Sequence, residues 1–218
     1  MDENLKNQKV KNVVEYYVLA NKLKDVVRTG WIDWNVKRER VESIAEHIYG
    51  TMMLAIAMCS EFDYEIDLKK VLMMLSIHET EEILIGDLTV FQISRDEKAK
   101  RGHEAVLKIF SKLSLGDELE KIVFEFDERK TPEAKFAYFC DKLECDIQCK
   151  LYDEQNCVDL NNEENCRAIK DESVKELLKS GKSWSEMWMT FGQGRYNYDE
   201  NFLSVSNYVK DNNILKNS

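Results

Sequence analysis

Apolar side chains recur along most of the chain at offsets of three and four, and no stretch alternates with the two-residue period of a strand. The pattern predicts a helix over residues 3–25, with Val10, Val13, Val14, Tyr17 and Leu23 toward its buried side. The run Arg28-Thr29-Gly30-Trp31-Ile32-Asp33-Trp34 breaks the period and reads as a loop; its tryptophans either cover a core or wall a ligand. A second helix follows over about 41–62, its apolar stripe formed by Val41, Ile44, Ala45, Ile48, Met52, Ala55, Ile56 and Cys59, with His47 at the edge. Asp67 caps a third, whose apolar run 71–77 passes directly into His78-Glu79-Thr80-Glu81-Glu82. On one continuous helix Leu75, His78, Glu79 and Glu82 share a face.

Ser94-Arg95-Asp96-Glu97 fits a capping box that starts a charged helix to about residue 113, where His103 lies among Lys100, Arg101 and Glu104 as a solvated surface residue. A short helix over 117–126 follows, with Glu118, Glu120, Glu125 and Asp127 mostly solvated. Thr131-Pro132-Glu133 is a strong helix start, leading into the stripe Phe136, Cys140, Leu143, Ile147 and Leu151. Asp141 sits about 100° around from Cys140, at the margin of that stripe. Beyond Tyr152 the pattern weakens: a polar connection at 156–165, a helix over 166–178, a capping box at Ser183-Trp184-Ser185-Glu186, and a last short helix marked by Phe202, Val205 and Val209. The fold class is all-α, a single-domain multi-helix bundle. Residues 1–154 form its core, and 155–218 form a helical C-terminal extension packed on it.

Composition supports this reading and removes some functions. The 218 residues fit one domain, 44% hydrophobic and 33% charged, and one proline with eight glycines leaves few helix breakers. A formal charge of −10 argues against binding extended nucleic acid, which needs a basic face. No apolar run approaches the roughly 20 residues that span a bilayer, so no membrane partner is expected. The first residues lack the apolar centre of a signal peptide, and the expected location is cytoplasmic. The six cysteines contain no Cys-x-x-Cys pair and read as reduced thiols.

Burying imidazole and carboxylate groups on inward faces is costly unless they are partnered, and a cation supplies a partner. His47, His78, Glu79 and Asp141 are candidates for such a set on three facing helices. Spacing alone leaves the metal site and a satisfied polar core equally open.

These residues also carry a resemblance. His47, His78 followed by an acid, and Asp141 resemble the H…HD…D order of the HD-domain metal-dependent phosphohydrolases. Glu42-Ser43-Ile44-Ala45-Glu46-His47 is similar to the ES-x-(A/S)-(E/D)-H segment of the 5′-deoxyribonucleotidase-like branch of that superfamily. Glu82 with Gly86-Asp87 resembles its HD-x-x-E…GD pattern, Arg28-Thr29-Gly30-Trp31 its RTGW loop, and Asp141-Lys142 with Gln148 to Tyr152 its D-K…Q…Y helix. The likeness runs from about residue 28 to 154. One position departs: Glu79 stands where the pattern has aspartate. Its extra methylene moves the carboxylate by roughly a bond length, although ligand distances tolerate only about 0.2 Å. The longer chain can flex back to the metal, change denticity or miss it.

The resemblance implies His47, His78, Glu79 and Asp141 as ligands of a divalent transition metal, with a mixed nitrogen and oxygen set suited to Mn, Co, Fe, Ni or Zn. It implies Glu82 and Asp87 as catalytic acids, the first at the attacking water and the second at the leaving alkoxide. Their bland alternatives are a helix-end salt bridge and a capping acid. Arg28 and Trp31 become substrate contacts, and the implied reaction is hydrolysis of (deoxy)nucleoside 5′-monophosphates to nucleoside and phosphate. A homodimer is a candidate assembly. Two other classes stay open: a nucleotide-binding protein with little turnover because of Glu79, and a helical interaction module with a buried polar cluster.

Overall fold

The computed structural model describes residues 3–89, 91–162 and 166–217, and among them the regular structure is helical, with one isolated bridge between Val27 and Ser43. The all-α expectation holds. The core is built on α8 (Pro132–Glu154), with α3 (Ile44–Glu61) and α4 (Leu68–Ile77) packed on it. Their apolar stripes meet in a cluster containing Ala55, Met58, Met74, Leu75, Phe136, Cys140 and Leu143. α6 (Arg95–Phe110) and α7 (Gly116–Glu128) form a second layer around Val106, Phe110 and Val123.

Helix starts follow the local chemistry. Ser43 closes a reciprocal capping box with Glu46, Asp67 accepts from the amides of Lys69 and Lys70, and Thr131 accepts from Ala134 with Pro132 in the first turn. Each supplies an acceptor to amides that have no partner inside the helix.

Four local expectations are corrected. The helix expected to run through His78 stops at Ile77; a turn follows, and α5 (Glu82–Ile85) is a separate short piece ending at Gly86, φ +74°. The tryptophan loop contains a short helix, α2 (Thr29–Asp33). α1 (Glu3–Ala20) forms, but Val10, Val13, Val14 and Tyr17 are exposed; Tyr16 and Leu19 pack beside Phe110, and Asn12 and Glu15 bond to Lys112. Finally, Glu125 and Asp127 are not free surface acids: Glu125 pairs with Lys70 and Thr131, both at 2.6 Å, and Asp127 with His103 at 2.8 Å.

After the 3₁₀ turn Ala168–Lys170 come α9 (Glu172–Lys179), α10 (Trp184–Tyr196) and α11 (Glu200–Asp211). The helix expected over 166–178 thus starts later, and residues 163–165 of the polar connection lie outside the described residues. α10 and α11 pack on α8, and Phe202 of α11 is wholly buried in the same cluster as Phe136 and Leu143. Cys59, Cys140, Cys145, Cys149 and Cys157 are free thiols. No helix of the described residues is long and apolar enough to cross a membrane.

Because Phe202 shares the main core, Phe202→Ala is expected to cost about 3–5 kcal/mol, the usual range for a buried phenylalanine. Chemical denaturation followed by far-ultraviolet and tryptophan signals should show one transition at lower denaturant. Two separated transitions would mean that the C-terminal helices fold as their own unit.

Candidate metal centre

Three elements bring the donors together. His47 lies in the first turn of α3, Asp141 near the middle of α8, and His78 and Glu79 in the turn that ends α4. The break after Ile77 therefore places His78 and Glu79 by turn geometry, not along one helix face. One ligand atom from each of the four residues lies within 4.8 Å of the others. His47 Nε2 is 3.2 Å from Asp141 Oδ1 and 3.9 Å from Glu79 Oε1, while His78 Nε2 is 3.7 Å from Glu79 Oε1. Two ligands each about 2.1 Å from one ion lie about 3–4 Å apart, so these separations fit a common cation.

His78 provides the sharpest test of that fit. Its Nδ1 donates to the Leu75 carbonyl at 2.7 Å, which leaves Nε2 as a lone pair. That Nε2 is buried and has no hydrogen-bond partner, yet it faces the other donors. An orphaned buried acceptor is costly in a folded protein, and a bound cation removes the cost.

The charges point the same way. Burial opposes a charged Glu79, but His78, Lys98 and Arg28 outweigh it and bring the carboxyl down to about 2. Burial likewise opposes a charged Asp141; Lys142, with Nζ 2.8 Å from Oδ2, and His47 hold it well below the usual carboxylate range. Burial and the Arg28 charge work against a charged His47, but Glu144 and Asp141 raise it to about 9. Burial lowers His78 and favours its neutral ring. Both acids are thus anionic near neutral pH and available to a cation.

The other candidates occupy different positions. Arg28 reaches the cluster, with Nη1 3.5 Å from Glu79 Oε1 and Nη2 3.0 Å from Cys145 Sγ. Glu82 is buried; Lys98 Nζ lies 3.1 Å from its Oε1, and its Oε2 has no partner. Burial, with Glu79 and Asp87 close by, pushes the Glu82 carboxyl well above its usual range. Asp87 follows Gly86 and turns back onto α2, where Oδ2 accepts from the Thr29 amide at 2.7 Å. Trp31 is not brought to the donor set. It is 1% exposed, stacks on Trp188 with centroids 5.2 Å apart, and donates through Nε1 to Glu42 Oε2 at 2.7 Å.

Sequence reading missed Lys98 and Glu144. Lys98 comes from α6, two helices away in the chain, and looked like one more surface charge. Glu144 follows Asp141 by three residues on α8, a spacing that puts both on one face. His103 stays away from the donor set; it packs on Phe124 with centroids 4.1 Å apart and pairs with Asp127.

An all-helical bundle carrying a buried His, His, acid and Asp set is the architecture of a metal-dependent hydrolase. The comparisons agree: the HD-domain model matches residues 20–194, and the chain belongs to the HD-domain family, in its 5′-deoxynucleotidase-like branch. It is a hydrolase of that family with a site for a divalent metal. Among relatives, a Dictyostelium discoideum protein named 5′-deoxynucleotidase HDDC2 is 32% identical over 152 residues, covering 66% of this chain and 79% of the relative. A Schizosaccharomyces pombe 5′-deoxynucleotidase is 30% identical over 151 residues, covering 66% of this chain and 74% of its own length. The fold matches the crystal structure of a Pyrococcus horikoshii OT3 protein with a TM-score of 0.64 and 22% identity, over 90% of this chain and 98% of the other. It also matches a "predicted metal-dependent phosphohydrolase" of Magnetospirillum magnetotacticum MS-1, with a TM-score of 0.62 and 18% identity, over 96% and 95%.

Two outcomes follow. His47→Ala and Asp141→Ala should each lose bound metal as measured by elemental analysis, whereas His103→Gln should keep it, since its half-exposed ion pair contributes about 1 kcal/mol or less to stability. Stripping the metal should also expose a pH dependence. The folded value of His47, about 9, lies above the ordinary 6.5, so the stability it contributes is complete below about 6.5 and is lost as pH rises through about 9. Thermal melts of stripped protein should fall across that window. Loaded protein, whose ligand imidazole is held neutral, should not show this loss.

Proposed function

We propose that this chain hydrolyses deoxynucleoside 5′-monophosphates to nucleoside and phosphate. The observation that carries the reading is the buried, unpartnered His78 Nε2 in a four-donor set, bordered by the Arg28 guanidinium and the half-free Glu82 carboxyl. The relatives' names supply the substrate class. A divalent cation at this site supplies Lewis acidity, which lowers the proton affinity of water and offsets charge on phosphoryl oxygens. The mixed nitrogen and oxygen donors suit Mn, Co, Fe, Ni or Zn.

The remaining work belongs to the chain's own groups. His47, His78, Glu79 and Asp141 hold the cation, with Glu79 using its extra methylene to bring Oε1 in from the turn. Glu82 Oε2 takes the proton from the attacking water. Burial and the neighbouring Glu79 and Asp87 raise its proton affinity, which favours taking a proton from water. That proton passes on to the departing 5′-alkoxide with the help of Asp87, which the Thr29 amide fixes in place. Arg28 donates to phosphoryl oxygens, a charge-assisted contact that its planar fork can make in pairs. Trp31 walls the base only if it parts from Trp188, so substrate entry would move α2 against α10.

The free thiols of Cys59, Cys140, Cys145, Cys149 and Cys157 fit a reducing compartment, and we place the protein in the cytoplasm. A homodimer is proposed through α1, whose Leu5, Val10, Val13, Val14 and Val18 are exposed together.

Release of phosphate from a panel of deoxy- and ribonucleoside 5′-monophosphates tests the substrate. Glu82→Gln should keep the metal and lower kcat by about 10²–10⁴, the scale of a general acid–base group. Arg28→Ala should keep the metal and raise KM about 10- to 100-fold, the loss of a hydrogen bond to a charged group. A fully loaded wild-type protein that releases no phosphate from any member of the panel would leave nucleotide binding without turnover as the better reading.

A further inference from the structure

His47 is held from both sides. Nε2 faces Asp141, and on the opposite edge of the ring Nδ1 lies 2.5 Å from Glu144 Oε2. A carboxylate accepting here keeps a ring hydrogen on Nδ1, so that a cation taking the place of the proton Nε2 shares with Asp141 would meet the Nε2 lone pair. Asp141 and Glu144, one turn apart on α8, thus grip one imidazole of α3 from a single helix face.

A second observation shows that this place is built. Gly50 stands one turn after His47 on α3, against the Glu144 side chain. A Cβ there would fall 2.6 Å from Glu144 Oε1 and 3.0 Å from its Cγ. Glycine weakens a helix interior, and here its missing side chain is the space the carboxylate fills. Behind it stands Glu42, whose carboxyl accepts from Trp31 Nε1 at 2.7 Å.

We propose that Glu144 is the positioning residue of the metal ligand His47, fixing its tautomer and ring angle, and that Gly50 is the notch in α3 that lets it do so. The inference rests on the metal-site reading above. It competes with a different use of the same atoms, since His47, Glu144 and Cys145 also lie close enough to share an ion. Arg28 Nη2, 3.0 Å from Cys145 Sγ, puts a positive charge where that ion would sit.

The test measures metal stoichiometry and affinity, by competition with a chromogenic chelator using Mn²⁺ and Zn²⁺, in wild type, Glu144→Ala, Glu144→Gln, Gly50→Ala and the Glu144→Ala/Gly50→Ala double variant. Thermal melts of the stripped proteins confirm folding. Glu144→Ala should weaken affinity about 10- to 100-fold with stoichiometry unchanged at saturation. Glu144→Gln, whose carbonyl oxygen can still accept from Nδ1, should recover most of the loss. Gly50→Ala should weaken the metal in the wild-type background and do nothing further in Glu144→Ala, where the notch is empty. The stripped double variant should melt no lower than stripped Glu144→Ala, because alanine is the better helix residue. Wild-type affinity in Glu144→Ala overturns the proposal. So does a stoichiometry that falls from two to one, which would make Glu144 a ligand of a second ion. Additive effects of the two alanines overturn the role of Gly50. If wild type binds no divalent metal while remaining folded, the metal-site reading itself fails; if His47→Ala loses metal and Glu144→Ala does not, only the positioning role fails.

Discussion

The structure depends on how negative charge is kept inside a helical bundle. Glu79, Asp141 and Glu144 converge on the His47 ring between α3, α8 and the end of α4, with His78 beside them and Glu82 buried near Glu79. Each ionised carboxylate there needs compensation, because burial strengthens repulsion among acids as much as attraction to cations. Three basic side chains arrive from separate parts of the chain: Arg28 before α2, Lys98 on α6 and Lys142 on α8. They border the donor set without filling it. Lys142 takes one oxygen of Asp141 and Lys98 one oxygen of Glu82, so the partner oxygens still face inward. The positive charge they supply surrounds a centre that has room for one more cation.

Much of this was legible in the sequence, for a physical reason. Packing between helices requires apolar residues at fixed periodicity, so the inward faces of α3 and α8 could be marked, and with them His47 and Asp141. Caps were readable because Ser43, Asp67 and Thr131 satisfy amides within three residues of themselves. The end of α4 was not readable. No glycine or proline stands between Ile77 and Glu82 to mark the break, and the turn there reflects tertiary packing overriding local propensity. The four candidate side chains still come together, because a turn and a helix can both present adjacent residues to one point.

Other misses have different causes. Periodicity says that a helix has an apolar face but not what covers it, so α1 was assigned a buried side that the described bundle does not bury. Lys98 was invisible because its significance is wholly tertiary, arising where α6 passes the Glu82 carboxyl. Trp31 shows the limit of motif reading. The loop was found, but the ring sits in an aromatic cluster with Tyr152, Trp184 and Trp188, and only its indole nitrogen reaches back toward the site through Glu42.

The distance along the chain between the donors sets the order of events in the protein's assembly. His47 and Asp141 are separated by 94 positions, and no local segment carries more than the adjacent pair His78 and Glu79. Closing so long a loop carries an entropic cost that must be met before the contact returns anything. An unfolded or half-folded chain therefore offers a cation only scattered, weak sites, and selective capture must wait until α3 and α8 have docked. Arg28, Lys98 and Lys142 make that wait tolerable, since they neutralise much of the acid while the centre is vacant. An ion bound here would join segments that only the packed bundle brings together.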